Sequence, residues 1–131
     1  MIGNNDYNEN KPLYLQIIDY VEEQLIQDYY KEGERIPSIR ELAEKLGVNP
    51  NTCVKAYDIM TSDGMIESRR GMGYYLLDGA KDKAYAKKRD ELFHKMIPFI
   101  SSSLKKYRID KNLFIKALSD CFDKGENKLQ K

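Results

Sequence analysis

Residues 36–77 constrain the fold more than any other stretch of this sequence, because they combine two short helices with a tight turn. Ser38 and Glu41 have the spacing of a capping box, which predicts that a helix begins there. Gly47 suits the left-handed end of that helix, and Pro50 suits the first turn of the next, where its missing N–H costs nothing. This order of elements predicts a helix-turn-helix.

A β-hairpin is predicted directly after the second helix. Gly64 ends this helix, and two short stretches, Met65–Ser68 and Tyr74–Leu77, follow as strands. Gly71 and Gly73 supply the positive φ angles that the hairpin turn between the strands needs. A helix-turn-helix with such a hairpin is a winged helix, whose second helix can lie in the major groove of DNA.

The residues ahead of this region predict an arm and a core helix. Residues 1–11 are polar and rich in asparagine, which is typical of a flexible segment. From Pro12 to about Tyr30 apolar residues recur at helical spacing, so we expect a helix that packs under the helix-turn-helix.

The residues after Gly79 predict two more helices. One is expected over residues 83–103 with a break near Pro98, and a second from Asp110 to Gly125. The expected fold class is therefore mainly α with a small β-hairpin. The expected domains are a flexible arm (1–11), a winged helix-turn-helix (12–79) and a C-terminal two-helix dimerisation tail (80–131).

The tail is expected to form a homodimer. Two helices are too few to enclose a ligand pocket or to bury both of their own apolar faces, so a second copy is the expected cover. The predicted contacts are Tyr85, Leu92, Phe93, Met96, Ile97, Ile100, Leu104, Leu113, Phe114 and Leu118. A weaker hypothesis makes Tyr85, Phe93, Met96 and Phe99 the lining of a site for an unknown small-molecule effector.

The motifs of this chain resemble those of the N-terminal DNA-binding domain of the GntR family of bacterial transcription regulators, over about half of the sequence. They are Pro12-Leu13-Tyr14-Leu15-Gln16-Ile17, Ile36-Pro37-Ser38-Ile39-Arg40-Glu41-Leu42-Ala43, Gly47-Val48-Asn49-Pro50-Asn51-Thr52, Ala56-Tyr57, Asp63-Gly64-Met65-Ile66 and Gly71-Met72-Gly73. The Asn-Pro-Asn-Thr helix start and the short tail resemble the YtrA-like subfamily. The resemblance implies a homodimeric transcriptional regulator, typically a repressor of a pseudo-palindromic operator.

The candidate DNA contacts lie at the helix starts and in the hairpin. Arg40 is expected to bind a phosphate or a guanine edge, and Asn51 with Lys55 to face the groove, although surface arginines and capping residues are often only structural. Tyr57 is expected in the core. The candidate DNA-binding residues are Arg35, Ser38, Arg40, Asn49, Asn51, Thr52, Lys55, Arg69, Arg70 and Gly71.

The charge distribution supports a second hypothesis. The net charge is +1, but residues 1–79 hold 8 Lys and Arg against 14 Asp and Glu, a net charge of −6. A DNA-binding unit should present a basic surface, which we expect locally at the candidate residues and in the run Lys81–Arg89. The acidic excess favours the alternative of a winged-helix protein-interaction module in a DNA-associated complex, whereas the helix start at Asn49 and the arginine pair in the wing disfavour it.

No residue constellation predicts an enzyme or a cofactor. His94 has no second histidine or cysteine at metal-ligand spacing, so neither a metal site nor catalysis is expected. Cys53 and Cys121 are expected to be free thiols in a reducing compartment, with a redox switch as the minor alternative. The sequence has no run of about 18 apolar residues and no signal peptide at its N-terminus, so a cytoplasmic location is expected.

Overall fold

The computed structural model of the protein describes residues 10–129, with side chains up to residue 125. Nearly all of the predicted arm, residues 1–9, lies outside the described residues. The chain divides into two compact units, one that ends at Asp90 and one that begins at Glu91. In the described part of the chain, no helix is long and apolar enough to cross a membrane.

The first unit contains four helices and a two-stranded antiparallel hairpin among its described residues. These elements are α1 (Leu13–Ile26), α2 (Ile39–Leu46), α3 (Pro50–Ser62), β1 (Ile66–Arg69), β2 (Gly73–Leu76) and α4 (Ala80–Glu91). The predicted fold class, mainly α with a small β-hairpin, is confirmed. Helix α1 ends before the predicted Tyr30, because the backbone turns at Asp28 with a φ of 65°.

The predicted corner between α2 and α3 is confirmed in its hydrogen bonds. The Ser38 hydroxyl accepts the Glu41 N–H at 3.0 Å, and the Glu41 carboxylate accepts the Ser38 N–H at 2.8 Å. Gly47 ends α2 in the left-handed conformation, at φ 68°. The Asn49 side chain accepts the Asn51 N–H at 2.8 Å and caps α3. Local side-chain chemistry therefore determines both helix starts.

The hairpin is called the wing below. Its first strand lies one residue later than predicted and its second strand one residue earlier. Arg69 pairs with Gly73, so the turn contains only Arg70, Gly71 and Met72. Gly71 has a φ of 72°, which only glycine adopts freely. The segment before α2 also bonds to the second strand, which the sequence did not predict. The Ile36 N–H donates to the Tyr74 carbonyl at 2.9 Å.

The core lies between α1, α2, α3 and the wing, and α4 closes it. Ala80 and Ala84 of α4 are fully buried. The boundary predicted between residues 79 and 80 therefore falls inside the first unit, because α4 uses small residues to pack on that core. The largest buried side chains are Ile17, Ile18, Leu25, Ile36, Leu42, Tyr57, Met60, Ile66 and Leu76.

The second unit consists of helices with exposed apolar side chains. A π-helical turn (Leu92–Met96) leads into α5 (Ile97–Lys106) and then α6 (Lys111–Leu129). The π-helical turn is the break predicted near Pro98. Proline lacks an N–H and crowds the carbonyl four residues earlier, and the wider π-helical turn accommodates both effects. Asp110 caps α6 through the Leu113 N–H at 2.9 Å. The predicted end at Gly125 is wrong, since α6 continues through it.

Candidate nucleic-acid interface

Tyr57 determines how α3 sits in the first unit. It belongs to the buried face of the helix and is 0% exposed. Its hydroxyl donates to the Pro37 carbonyl at 2.5 Å, and its ring packs edge-on against Tyr74 of the wing, with 4.8 Å between ring centroids. Tyr57 thus joins α3 to the segment that leads into α2 and to the wing. The predicted core position of Tyr57 is confirmed.

The start of α3 presents polar groups to solvent. Asn49 is exposed and caps the helix, Asn51 is exposed, and Thr52 is half-buried. The Asn51 side-chain amide has no partner among the described residues. Pro50 has no N–H, and the N–H groups of Asn51 and Thr52 donate to Asn49, so the helix dipole and the exposed side chains are what favour an anion here. This end of α3 can therefore bind a phosphate, and the Asn51 amide can also bond a base edge.

The start of α2 contributes a free arginine and a paired one. Arg40 is exposed and makes no hydrogen bond or ion pair within the part of the chain that the structure describes. Arg35 lies 3.3 Å from the Glu41 carboxylate, in a pair whose side chains are about half exposed. The Ser38 N–H bond holds the pKa of Glu41 below its usual value. An exposed pair of this kind is weak, so Arg35 can exchange Glu41 for a phosphate.

The two wing arginines differ in their surroundings. The Arg69 Nε lies 2.8 Å from the Glu67 carboxylate, and the guanidinium carbon lies 3.9 Å from the centre of the Tyr75 ring. Arg70 is exposed and has no partner among the residues described. Gly71 follows it at the turn. Of the predicted pair, Arg70 is thus the one whose charge is free to meet a ligand.

Lys55 points toward α1. Its ammonium lies 4.0 Å from the centre of the Tyr14 ring, a cation–π contact. Tyr14 belongs to the first of the GntR-like motifs, and its contact with Lys55 was not predicted. Residue spacing could not predict this contact, because it joins two helices that are remote in sequence.

The acidic side of α1 is neutralised by α4. Lys87 lies 3.1 Å and Lys88 3.5 Å from the Glu22 carboxylate, and Lys88 also lies 2.9 Å from Asp19. Lys81 bonds Asp28 at 2.5 Å in the same way. The expectation that the run Lys81–Arg89 adds to a basic surface is therefore wrong for these lysines, whose charges are used within the unit.

Burial affects the two α1 carboxylates differently. Burial raises the pKa of Glu22, which is 1% exposed, although Lys87 and Lys88 act in the opposite direction. Burial would also raise the pKa of Asp19, but hydrogen bonds from Lys11 and Lys88 outweigh it and hold that pKa below its usual value. Both carboxylates thus anchor α4 to α1, and Glu22 does so against a desolvation cost.

The predicted dimerisation residues divide between the two units. Tyr85 lies on α4 in the first unit, and the other nine lie in the second. None of the second unit's side chains is buried, as far as they are described. The large hydrophobic side chains there with more than half of their surface exposed are Leu92, Phe93, Ile97, Phe99, Tyr107, Leu113, Ile115, Leu118 and Phe122. This unit presents an apolar surface that its own residues do not cover.

The remaining reactive side chains form no cluster. Cys53 is buried and free, and burial raises the pKa of its thiol, whereas Cys121 is exposed and free. His94 is exposed in the π-helical turn. No group of three or more His, Cys, Asp or Glu side chains suited to a metal ion occurs in the described part of the chain.

Comparison with curated proteins gives relatives that regulate transcription. The chain is 38% identical over 77 residues to the uncharacterized HTH-type transcriptional regulator YhcF of Bacillus subtilis, covering 59% of this chain and 64% of that protein. It is 41% identical over 76 residues to the HTH-type transcriptional repressor YtrA of the same species, covering 58% of each. The chain thus spans less than two thirds of the length of these relatives.

Solved structures match over most of both chains. A putative transcriptional regulator of the GntR family from Bacteroides thetaiotaomicron has a TM-score of 0.74 at 27% identity, covering 86% of this chain and 98% of that one. A GntR family regulator from Listeria monocytogenes has a TM-score of 0.65 at 29% identity, covering 84% and 95%. The family model described as bacterial regulatory proteins, gntR family, matches residues 13–76. These matches place the winged helix-turn-helix of residues 13–76, just under half of the chain, in the gntR family of bacterial regulatory proteins.

Proposed function

We propose that the protein is a sequence-specific DNA-binding transcriptional regulator that represses from a pseudo-palindromic operator as a homodimer, in the cytoplasm. The observation that carries this proposal is a set of three exposed polar side chains without partners. Arg40 stands at the start of α2, Asn51 at the start of α3 and Arg70 at the tip of the wing. A recognition helix with free cations on the two elements next to it suits a major groove bordered by phosphates.

The other candidate residues take supporting roles in this proposal. Asn49, Thr52 and Ser38 would contact phosphates beside the helix starts, and Gly71 lets the wing backbone approach the DNA closely. Arg35, Lys55 and Arg69 are held by Glu41, Tyr14 and Glu67, so each contributes after exchanging or sharing its partner.

The protein-interaction alternative rested on the acidic excess of residues 1–79. Asp19, Glu22 and Asp28 account for part of that excess, and lysines of α4 neutralise them within the first unit. The acidic surface that would attract a protein partner is therefore smaller than the sequence indicated, which favours DNA as the partner. The name of the YtrA relative supports repression.

The homodimer proposal rests on the uncovered apolar surface of the second unit. A second copy of the same unit offers an equally apolar surface, and a two-fold arrangement lets each copy cover the other. Two copies also present two recognition helices, so a pseudo-palindromic operator is the matching DNA. The small-molecule hypothesis has no separate observation in its favour, and an effector stays outside the proposal.

A selection from random duplex DNA at about 0.1 M salt, where surface charge is partly screened, tests the proposal directly. The expected product is an inverted repeat, whose spacing gives the distance between the two recognition helices. Failure of a folded protein to enrich any sequence would refute sequence-specific binding and favour the protein-interaction module instead.

Two pairs of variants test the residues. Arg40→Ala should weaken operator binding by about 10- to 100-fold, because it removes a charged hydrogen bond. Arg89→Ala removes the same charge from α4 and should have a much smaller effect. Arg70→Ala should likewise weaken binding more than Arg69→Ala does. Equal affinities within each pair, measured at fixed salt, would show that these assignments are wrong.

The oligomeric state tests the tail. Leu118→Glu places a charge among the exposed apolar side chains of α6 and should shift the full chain from dimer to monomer in sedimentation equilibrium. Ser119→Glu adds the same charge at an exposed polar neighbour and should leave the dimer intact. A dimer that survives Leu118→Glu would exclude this surface of α6 as the interface.

A further inference from the structure

Val54 is an apolar side chain on α3 that the fold leaves partly exposed. It is 39% exposed and is not one of the buried core side chains. A β-branched residue also stabilises a helix less than alanine does. Burial in the core and helix propensity therefore do not by themselves require a valine at this position.

The geometry of α3 determines where Val54 points. Residues three apart lie about 60° from each other around a helix, so Asn51, Val54 and Tyr57 form one inclined row. Tyr57, at one end of the row, contacts Pro37 and Tyr74, which places that flank of α3 next to the start of α2 and the wing.

The opposite flank of α3 is occupied. Lys55, about 100° from Val54 around the helix, rests on Tyr14 of α1. The outward side of α3 between the Tyr57 flank and Lys55 therefore presents Val54 and Asn51. The start of α2 and the wing, which carry Arg40 and Arg70, lie against the Tyr57 flank beside Val54.

The major groove contains one apolar group, the C5 methyl of thymine, and an exposed aliphatic side chain on a recognition helix is complementary to it. We infer that Val54 contacts a thymine methyl and so makes thymine the preferred base at one position of each half-site, one helical turn along α3 from the contact of Asn51. This inference rests on the proposed DNA binding. It adds a base preference that the polar candidate residues do not give.

A thymine-to-uracil scan of the selected operator tests the inference. Replacing one thymine at a time by deoxyuridine removes only the methyl group and leaves every hydrogen-bonding group in place. With the full-length protein, one thymine per half-site should show a rise in Kd of about fourfold on replacement, which corresponds to about one buried methylene. The other thymines should show no change.

Two variants identify the side chain that contacts the methyl group. Val54→Ala should bind the thymine and uracil forms of the operator almost equally well, because alanine lacks the two methyl groups of valine that reach the thymine methyl. Ser62→Ala, at an exposed position near the end of α3, should retain the fourfold preference. The exposed position of Val54 makes loss of folding an unexpected result, and circular dichroism checks it.

The outcomes separate this inference from the proposed function. Operator binding that ignores every thymine methyl, or a fourfold preference that persists in Val54→Ala, overturns the inference and leaves the regulator proposal intact. Absence of any enriched DNA overturns both.

Discussion

The hydroxyl of Tyr57 is expected to stabilise the corner between α2 and α3, and Tyr57→Phe tests this with the smallest change available. The substitution retains the ring and its edge contact with Tyr74 but removes the 2.5 Å hydrogen bond to the Pro37 carbonyl. A hydrogen bond contributes about 1 kcal/mol net, and a buried acceptor left without its donor costs about 1–3 kcal/mol. Pro37 is only half-buried, so water can satisfy part of its carbonyl.

We therefore expect a loss of about 1–2 kcal/mol in the free energy of unfolding. For a unit of this size, that loss corresponds to a fall of about 5–10 °C in Tm. Far-UV circular dichroism of the full chain follows the transition. Pro37 immediately precedes the Ser38 cap, so operator affinity should fall as well, by a smaller factor than for Arg40→Ala.

Tyr75→Phe is the matched control. The Tyr75 ring carries the contact with Arg69, which phenylalanine keeps, and its hydroxyl has no partner within the described residues. The Tm of Tyr75→Phe should stay within about 2 °C of that of the natural chain, since surface changes of this kind alter the free energy of unfolding by less than about 0.5 kcal/mol. If Tyr57→Phe and Tyr75→Phe melt at the same temperature, the hydroxyl of Tyr57 does not hold the corner together.

Three further predictions concern the first unit. Above about pH 4.3, the free energy of unfolding of Glu22→Gln in urea should rise with pH relative to that of the natural chain. The reason is that the raised pKa of Glu22 makes its ionisation cost more in the folded state. A difference between the two proteins that is flat or falls with pH would contradict this. Ser38→Ala should lose about 1 kcal/mol by removing the cap on the Glu41 N–H, and an unchanged Tm would show that the cap contributes nothing. In a Cys121→Ser variant, the remaining Cys53 thiol should react with a maleimide only after unfolding, so rapid labelling of the folded protein would contradict its burial.

The wing shows where prediction from sequence is accurate and where it reaches its limit. Its position follows from Gly71 and Gly73, whose positive φ angles are a local requirement of the turn. The sequence predicted the same DNA-binding role for Arg69 and Arg70, but the structure distinguishes them. Arg69 pairs with Glu67 and Tyr75, whereas Arg70 has no partner among the described residues. Residue spacing identifies a cationic turn, but the partner of each cation depends on the folded neighbours.

The α4 helix shows the same limit on a larger scale. The sequence predicted a domain boundary after Gly79, yet Ala80 and Ala84 are buried in the first unit. Lys87 pairs with Glu22, a residue 65 positions earlier in the chain. A contact between positions so far apart leaves no mark in local periodicity, so the sequence assigned these lysines to solvent or DNA.

The sequence by itself determined the order of helices and strands, the caps at Ser38 and Asn49, and the family, because each depends on residues within a turn or two of one another. The tertiary structure alone decided which charges stay available. It neutralises the acids of α1 with α4, directs Lys55 onto Tyr14, and leaves Arg40, Arg70 and Val54 exposed. The physical reason is that ion pairs and burial depend on distances in space, which the folded chain sets between residues remote in sequence.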